Sequence, residues 1–140
     1  DKVRRLKEIQ ALTALAHHEN VIKLIEVLFD GQQVLSRYVG KLALVFELME
    51  MNLYEYLKSH RNLPLPRIKY IMFQVLKAIE EMHRKGIFHR DIKPENILVS
   101  GEAVKLADLG PADVQSPVKI GYQSPHPFTD YISTRWYRAP

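Results

Sequence analysis

The chain has 140 residues, 46% apolar and 26% charged, with a formal net charge of +4, which is enough for one domain with a sizeable core and ordinary for a globular protein. It contains no cysteine, so disulfides, thiolate nucleophiles and cysteine zinc sites are excluded, and no apolar run approaches a membrane span or makes a signal-peptide pattern. Its basic clusters, Lys2 to Lys7 and Arg61 to Lys69, lack interleaved aromatic residues and read as solvated helix faces, not as a nucleic-acid stripe.

Residues 3–16 predict a helix, because Val3, Leu6, Ile9, Leu12 and Leu15 recur near helical period. It should stop near 17–20. Val21 to Phe29 predicts a strand, Asp30-Gly31 a turn, and the polar stretch to Lys41 a connection. Leu42 to Phe46 is a continuous apolar run, short enough for a buried strand. A connector follows at 47–52, then a short helix over Leu53 to Ser59. Pro66 suits the first turn of the next helix, whose stripe is Ile68, Ile71, Met72, Val75, Ile79 and Met82 and whose end is Gly86. Ile97 to Ser100 and Val104 to Ala107 predict a hairpin around Gly101-Glu102. From Gly110 to about Phe128 no periodicity survives, and a long surface loop is expected. The start at Asp1 instead of Met suggests a piece of something longer, or a processed product.

The densest chemistry lies in His89-Arg90-Asp91-Ile92-Lys93-Pro94-Glu95-Asn96, followed by Asp108-Leu109-Gly110. Asp91, Lys93, Asn96 and Asp108 bring two acids, a base and an amide close together in sequence. Phosphoryl transfer needs this set. A carboxylate takes or orients the proton of the attacking hydroxyl, a cation steadies the phosphoryl group, and a few oxygen ligands hold magnesium against the phosphates. The remaining histidines, His17, His18, His60, His83 and His126, show no metal-ligand spacing.

These residues resemble the motifs of protein kinases. The eight-residue loop matches H-R-D-L-x-x-x-N with Ile92 for Leu. Asp108-Leu109-Gly110 resembles D-F-G with Leu109 for Phe, and Arg138-Ala139-Pro140 resembles the approach to A-P-E. The resemblance covers essentially the whole chain. Thr129-Asp130-Tyr131 and the following Ile132-Ser133-Thr134-Arg135-Trp136-Tyr137-Arg138 are similar to the activation lip of the group holding mitogen-activated and cyclin-dependent kinases. Within that group they most resemble the branch of male-germ-cell-associated and MOK kinases.

The resemblance implies an α+β, two-lobed fold, present in part: residues 1–46 from the small lobe, 47–52 as hinge, and 53–140 from the large lobe. It implies ATP and Mg2+ as cofactors. Asp91 becomes the base or hydroxyl-orienting group, Lys93 the γ-phosphate contact that marks Ser/Thr specificity, and Asn96 and Asp108 the magnesium ligands. Glu8 becomes the helix carboxylate that pairs with a strand lysine. Phe46 becomes the gatekeeper, the backbone of Glu47 and Met49 the adenine contacts, Leu98 the pocket floor and Ala107 its lining. Leu109 is expected in an apolar stack with Leu12, Leu24 and His89, which makes His89 structural.

For regulation, the resemblance implies phosphate on Thr129 and Tyr131. Arg90, with Arg4 and Lys7, would meet the first, but Asp113 stands where the family has a third arginine and would repel it. Arg135 and Arg138 would meet the second, and Thr134 would link the loop to Asp91 and Lys93. The implied activity is proline-directed phosphorylation of protein Ser/Thr, by a monomeric kinase domain inside the cell, in cytoplasm or nucleus. Its partners are protein substrates and an upstream activating kinase, with no nucleic acid and no membrane insertion. Neither a G-x-G-x-x-G loop nor a V-A-I-K lysine stands before Glu8, so these residues alone are expected to be inactive. A pseudokinase or scaffold, or an inactive truncated kinase, is the alternative. Leu109, Pro111 and Asp113 are the irregularities that support it.

Overall fold

The computed structural model describes residues 2–35, 37–114 and 135–138. Helix α1 (Lys2–Ala14) forms where the sequence predicts one, but its buried face differs from the predicted stripe. Leu6 is 60% exposed, whereas Glu8, Ala11, Leu12 and Leu15 are buried. Residues spaced strictly three apart drift by about 60° per step around a helix of 3.6 residues per turn, so a run of five cannot share one face. Positions 8, 11, 12 and 15 keep the i, i+3, i+4, i+7 spacing that does. A carboxylate is thereby carried into the interior among apolar neighbours.

Strand β1 (Leu24–Val34) begins later than predicted and runs straight through Asp30-Gly31, and with β2 (Arg37–Phe46) it takes in most of the expected connection. The two pair antiparallel, with Gly31 opposite Gly40. A Cβ on Gly40 would run into the Asp30 carbonyl and the Gly31 Cα. These glycines serve a close backbone approach within the ladder instead of a turn. The chain reverses after Val34, where Leu35 has φ 56.

Strand β3 (Met51–Asn52) leads into α2 (Leu53–Ser59), whose first turn is capped by Asn52 Oδ1 accepting from the Glu55 N–H at 2.9 Å. Helix α3 (Leu65–Arg84) has Pro66 in its first turn and ends at Gly86, φ 70. Its buried residues are Ile71, Gln74, Val75, Ala78 and Met82. Ile68 and Met72, predicted to share that face, are 43% and 49% exposed. With Leu65 and Leu76 they form a second apolar face that the described residues leave uncovered.

Strand β4 (Ile87–Phe88), a 3-10 turn (Pro94–Asn96), β5 (Ile97–Ser100) and β6 (Ala103–Leu106) follow. The predicted hairpin is present, one residue early in its second arm, with Gly101 at φ 58 in the turn. Strands β3, β5 and β6 make one sheet. A two-residue strand, β7 (Asp113–Val114), interrupts the region predicted as loop and pairs with β4. Arg135–Tyr137 form a last 3-10 turn.

One core joins these elements: Leu12 from α1 and Leu15 just after it, Val75 and Met82 from α3, Ile97, Val99, Val104 and Leu106 from the sheet, and Leu109. The segment after α1 is sewn to β6, because the Ile22 N–H donates to the Leu106 carbonyl at 3.0 Å and the Leu106 N–H to the Asn20 carbonyl at 2.7 Å. Asn20, buried, also gives its Nδ2 to Gln74 Oε1 and to the Val104 carbonyl, both at 2.9 Å. Lys85 Nζ reaches the Ala14 carbonyl at 2.6 Å, a cation on the free carbonyls at the end of α1. No described helix is long and apolar enough to cross a membrane.

Candidate active site

Asp91 is 7% exposed and held from three directions. Its N–H donates to His89 Nδ1 at 3.1 Å. Asn96 Nδ2 donates to its carbonyl at 2.8 Å and to its Oδ2 at 3.1 Å. Lys93 Nζ lies 3.4 Å from the same Oδ2. The 3-10 turn over Pro94–Asn96 makes this possible: the Asn96 N–H bonds the Lys93 carbonyl at 3.0 Å and folds the amide back over Asp91. Three site residues of one short loop thus converge.

Ala107 ties the second acid to this loop. Its N–H donates to the Asn96 carbonyl at 2.8 Å, and its carbonyl lies 2.8 Å from His89 Nε2. Since His89 Nδ1 accepts from the Asp91 N–H, Nε2 must carry the proton and donate to Ala107. His89 is 2% exposed. Burial pushes its pKa below the ordinary 6.5, against the Ala107 bond and the carboxylates of Asp108 and Asp91. A neutral imidazole with both nitrogens occupied is a brace, in keeping with the structural role that the resemblance implies. Asp108, next in the chain, is exposed and has φ 55; Arg90, beside Asp91, has φ 72. Left-handed backbone at a non-glycine residue costs about 1–3 kcal/mol and persists where surrounding bonds over-determine it. Here those bonds are the ones on His89, Asp91 and Ala107.

Glu8 approaches from α1. A Cβ built on Gly110 would stand 3.3 Å from Asp108 Oδ1 and 3.7 Å from Glu8 Oε2, so the two carboxylates converge on that glycine. Arg5 Nη1 lies 3.6 Å from Glu8 Oε2. Burial nevertheless holds the Glu8 carboxyl above its ordinary range; Arg5 opposes this and Asp108 adds to it. Such a group favours a further cationic partner.

The predicted nucleotide contacts fall on the connector and the sheet beside this cluster. Phe46 ends β2, Leu98 lies on β5 and Ala107 follows β6; with Met49 they are half-buried and pack on the core. The Glu47 N–H is spent on the Lys23 carbonyl at 3.0 Å, so its backbone has a carbonyl to offer a ligand, not a donor. The Glu47 side chain, unnoticed in the sequence, accepts from the Lys23 N–H at 2.9 Å and from Lys105 Nζ at 2.6 Å. Burial raises its pKa, but the Lys105 and Lys23 bonds outweigh this and hold it below the ordinary range. Lys105 stands opposite Leu98 in the β5–β6 ladder, 58 residues from Glu47 in sequence, which is why no local pattern announces the pair.

Asn96 and Asp108 fit a magnesium ion by their donor chemistry. With its amide nitrogen used on Asp91, Asn96 keeps a carbonyl oxygen, and Asp108 supplies an exposed carboxylate. Among the described residues no group of three or more His, Cys, Asp and Glu could enclose a metal by itself. Two oxygens and room for phosphate and water is what magnesium prefers over a full protein cage.

The regulatory residues are placed less completely. Thr129, Tyr131 and Thr134 lie outside the described residues. Arg135 opens the last 3-10 turn. Arg138 Nη2 donates to the Arg90 carbonyl at 3.2 Å, an anchor on the catalytic loop that the sequence does not reveal. Lys7 Nζ lies 3.5 Å from Asp113 Oδ1.

Comparison with known proteins agrees with this geometry. The protein kinase domain model matches residues 1–140. The mouse (Mus musculus) MAPK/MAK/MRK overlapping kinase is 47% identical over 141 residues, covering 100% of this chain and 30% of that protein. A probable serine/threonine-protein kinase of Dictyostelium discoideum is 45% identical over 137 residues, covering 97% of this chain and 24% of the relative. Human (Homo sapiens) serine/threonine-protein kinase MAK is 42% identical over 142 residues, covering 100% and 20% respectively. The chain thus spans less than a third of each of these relatives, with the mixed helices and strands of a partial α+β kinase fold. It belongs to the protein kinase domain family, in the branch of these MOK- and MAK-like relatives.

Proposed function

We propose that the full-length protein transfers the γ-phosphoryl group of ATP to serine and threonine residues of proteins. The observation that supports this reading is the double tether of Ala107, the residue before Asp108, to Asn96 and His89 of the catalytic loop. Relatives named as serine/threonine kinases support it.

In this reading residues 1–46 contribute to a small lobe, 47–52 to a hinge and 53–140 to a large lobe. The Glu47 carbonyl and the Met49 backbone hold adenine, between the Phe46 gatekeeper and the Leu98 floor, with Ala107 lining the pocket. Asn96 and Asp108 hold Mg2+, which when bound neutralises charge on the phosphates. Asp91 accepts or orients the proton of the incoming hydroxyl, and Lys93 steadies the transferring group. Glu8 meets a lysine on a strand preceding this segment, the cation that its buried carboxyl favours. Proline after the target residue is the proposed preference. Thr129 and Tyr131 are the proposed sites at which an upstream kinase acts, with Arg90, Arg135 and Arg138 as their cationic partners. A monomeric kinase domain working inside the cell, in cytoplasm or nucleus, is part of the same reading.

The experiment is a phosphotransfer assay with full-length protein, Mg-ATP and peptides bearing Ser, Thr or Tyr, each followed by Pro or Ala. Labelling of Ser and Thr peptides, best with Pro, is expected. Binding of Mg-ATP with no transfer to any peptide would instead identify a pseudokinase.

A further inference from the structure

Helix α1 carries the Glu8 carboxylate toward Asp108, yet a second charge contact of the helix lies off that face. Lys7 precedes Glu8 and so points about 100° away around the helix. Its Nζ meets Asp113 Oδ1 at 3.5 Å. Asp113 is five residues past Asp108 and belongs to β7, whose ladder sets Asp113 opposite Phe88 and Val114 opposite Ile87. The Ala112 N–H bonds the Leu109 carbonyl at 3.1 Å, a turn that keeps the path from Asp108 to Asp113 short. Strand β4, in turn, leads directly into His89, Arg90 and Asp91. The ion pair therefore closes a ring: α1, β7, β4, the catalytic loop, Asp108 and back to Glu8.

A ring of this kind fixes what core packing alone leaves loose. Ala11, Leu12 and Leu15 hold one side of α1 against the core, but apolar contacts are non-directional and permit small rotations about the helix axis. A charge contact off the packed face opposes such rotation, and rotation is the motion that carries Glu8 toward or away from Asp108. Both charges belong to side chains of the protein, so the contact requires no added phosphate.

We propose that Lys7 and Asp113 are positioning residues for phosphoryl transfer: their ion pair sets the rotation of α1 and thereby the place of Glu8 against Asp108, in the unphosphorylated protein. This rests on the kinase reading above and deepens it. The pair is partly exposed, with side chains 48% and 28% accessible, so its effect is modest; exposed pairs contribute little each, and reversing one charge adds repulsion of similar size.

The test uses full-length, phosphatase-treated protein in four forms: wild type, Lys7→Asp, Asp113→Lys, and the double swap. Each single reversal is expected to lower kcat/KM by about 3–10-fold at low salt, with a smaller loss at high salt. The double swap is expected to return within about twofold of wild type, as a direct pair contact requires. Amide exchange across residues 5–12 is measured on the same four proteins, with faster exchange expected in the single reversals and recovery in the swap. Singles that match wild type in both readouts, or a swap no better than the worse single, would overturn the proposal. If wild type transfers no phosphate, the kinase reading fails by itself, and the exchange pattern alone decides whether the pair holds α1.

Discussion

The side-chain amide of Asn96 spans Asp91, donating to its carbonyl at 2.8 Å and to its Oδ2 at 3.1 Å. One residue thereby sets both the backbone and the carboxylate of the proposed base. Replacing Asn96 by Ala leaves two buried acceptors without this donor. A stability loss of about 1–3 kcal/mol is expected in urea unfolding of the full-length protein. The Mg2+ concentration giving half-maximal activity is expected to rise as well, because the same side chain is a proposed ligand. Unchanged stability would contradict the bracing role, and unchanged Mg2+ dependence the ligand role.

His89 gives a pH dependence of definite sign. Its folded pKa lies below the ordinary 6.5 because burial disfavours the charged ring. The neutral form is therefore favoured by folding, and the stability it brings is complete above pH 6.5 and lost as pH falls through the folded value. Unfolding free energy is expected to fall on acidification below pH 6.5, by up to about 1.4 kcal/mol per pH unit from this group. A His89→Gln variant should show a shallower decline over the same range. Equal slopes would contradict the assignment of His89 as a buried neutral brace.

Leu109 fills its site. At 1% exposure it belongs to the shared core, in keeping with the apolar packing that the resemblance implies. Truncation to Ala is expected to cost about 2–5 kcal/mol. Leu109→Phe is expected to cost about 1–3 kcal/mol if the site is closed around leucine. A phenylalanine variant more stable than wild type would reveal a void that the smaller side chain leaves.

The Glu47–Lys105 contact, at 2.6 Å, fastens the connector to β6. Since its proposed role is to hold the adenine side of the pocket, Lys105→Met is expected to raise KM for ATP several-fold and leave kcat nearly unchanged. An exposed or partly exposed pair is worth up to about 1 kcal/mol, which corresponds to roughly fivefold. A fall in kcat with KM unchanged would place the pair in the chemistry instead of in binding.

How much of this could be read from residues alone depends on the range of the interactions involved. The catalytic loop was legible because His89, Asp91, Lys93 and Asn96 find one another within eight positions, and the hairpin of β5 and β6 because Gly101-Glu102 marks its turn. The face of α1 is less so: a spacing of three is near helical period, yet drifts off it over five residues, and Leu6 ends up exposed. Asp30-Gly31 carries turn chemistry but pairs with Gly40-Lys41 across a ladder, and which of the two occurs depends on a strand ten residues away. Strand β7 is two residues long and has no pattern of its own; it exists because β4 is there to pair with it. Lys105 with Glu47, Lys7 with Asp113, Gln74 with Asn20 and Arg138 with Arg90 are joined by the fold across long stretches of chain, so local sequence holds no trace of them.

In the proposed reaction Asp91 handles the proton of the attacking hydroxyl, in a site that Asn96, His89 and Ala107 hold in place. The most direct test measures kcat and Mg-ATP affinity for full-length wild type and Asp91→Asn. The variant is expected to bind Mg-ATP as wild type does and to lose about 10²–10⁴-fold in kcat, the range for loss of a general base. A variant that turns over at the wild-type rate would contradict the role of Asp91 and, with it, this reading of the site.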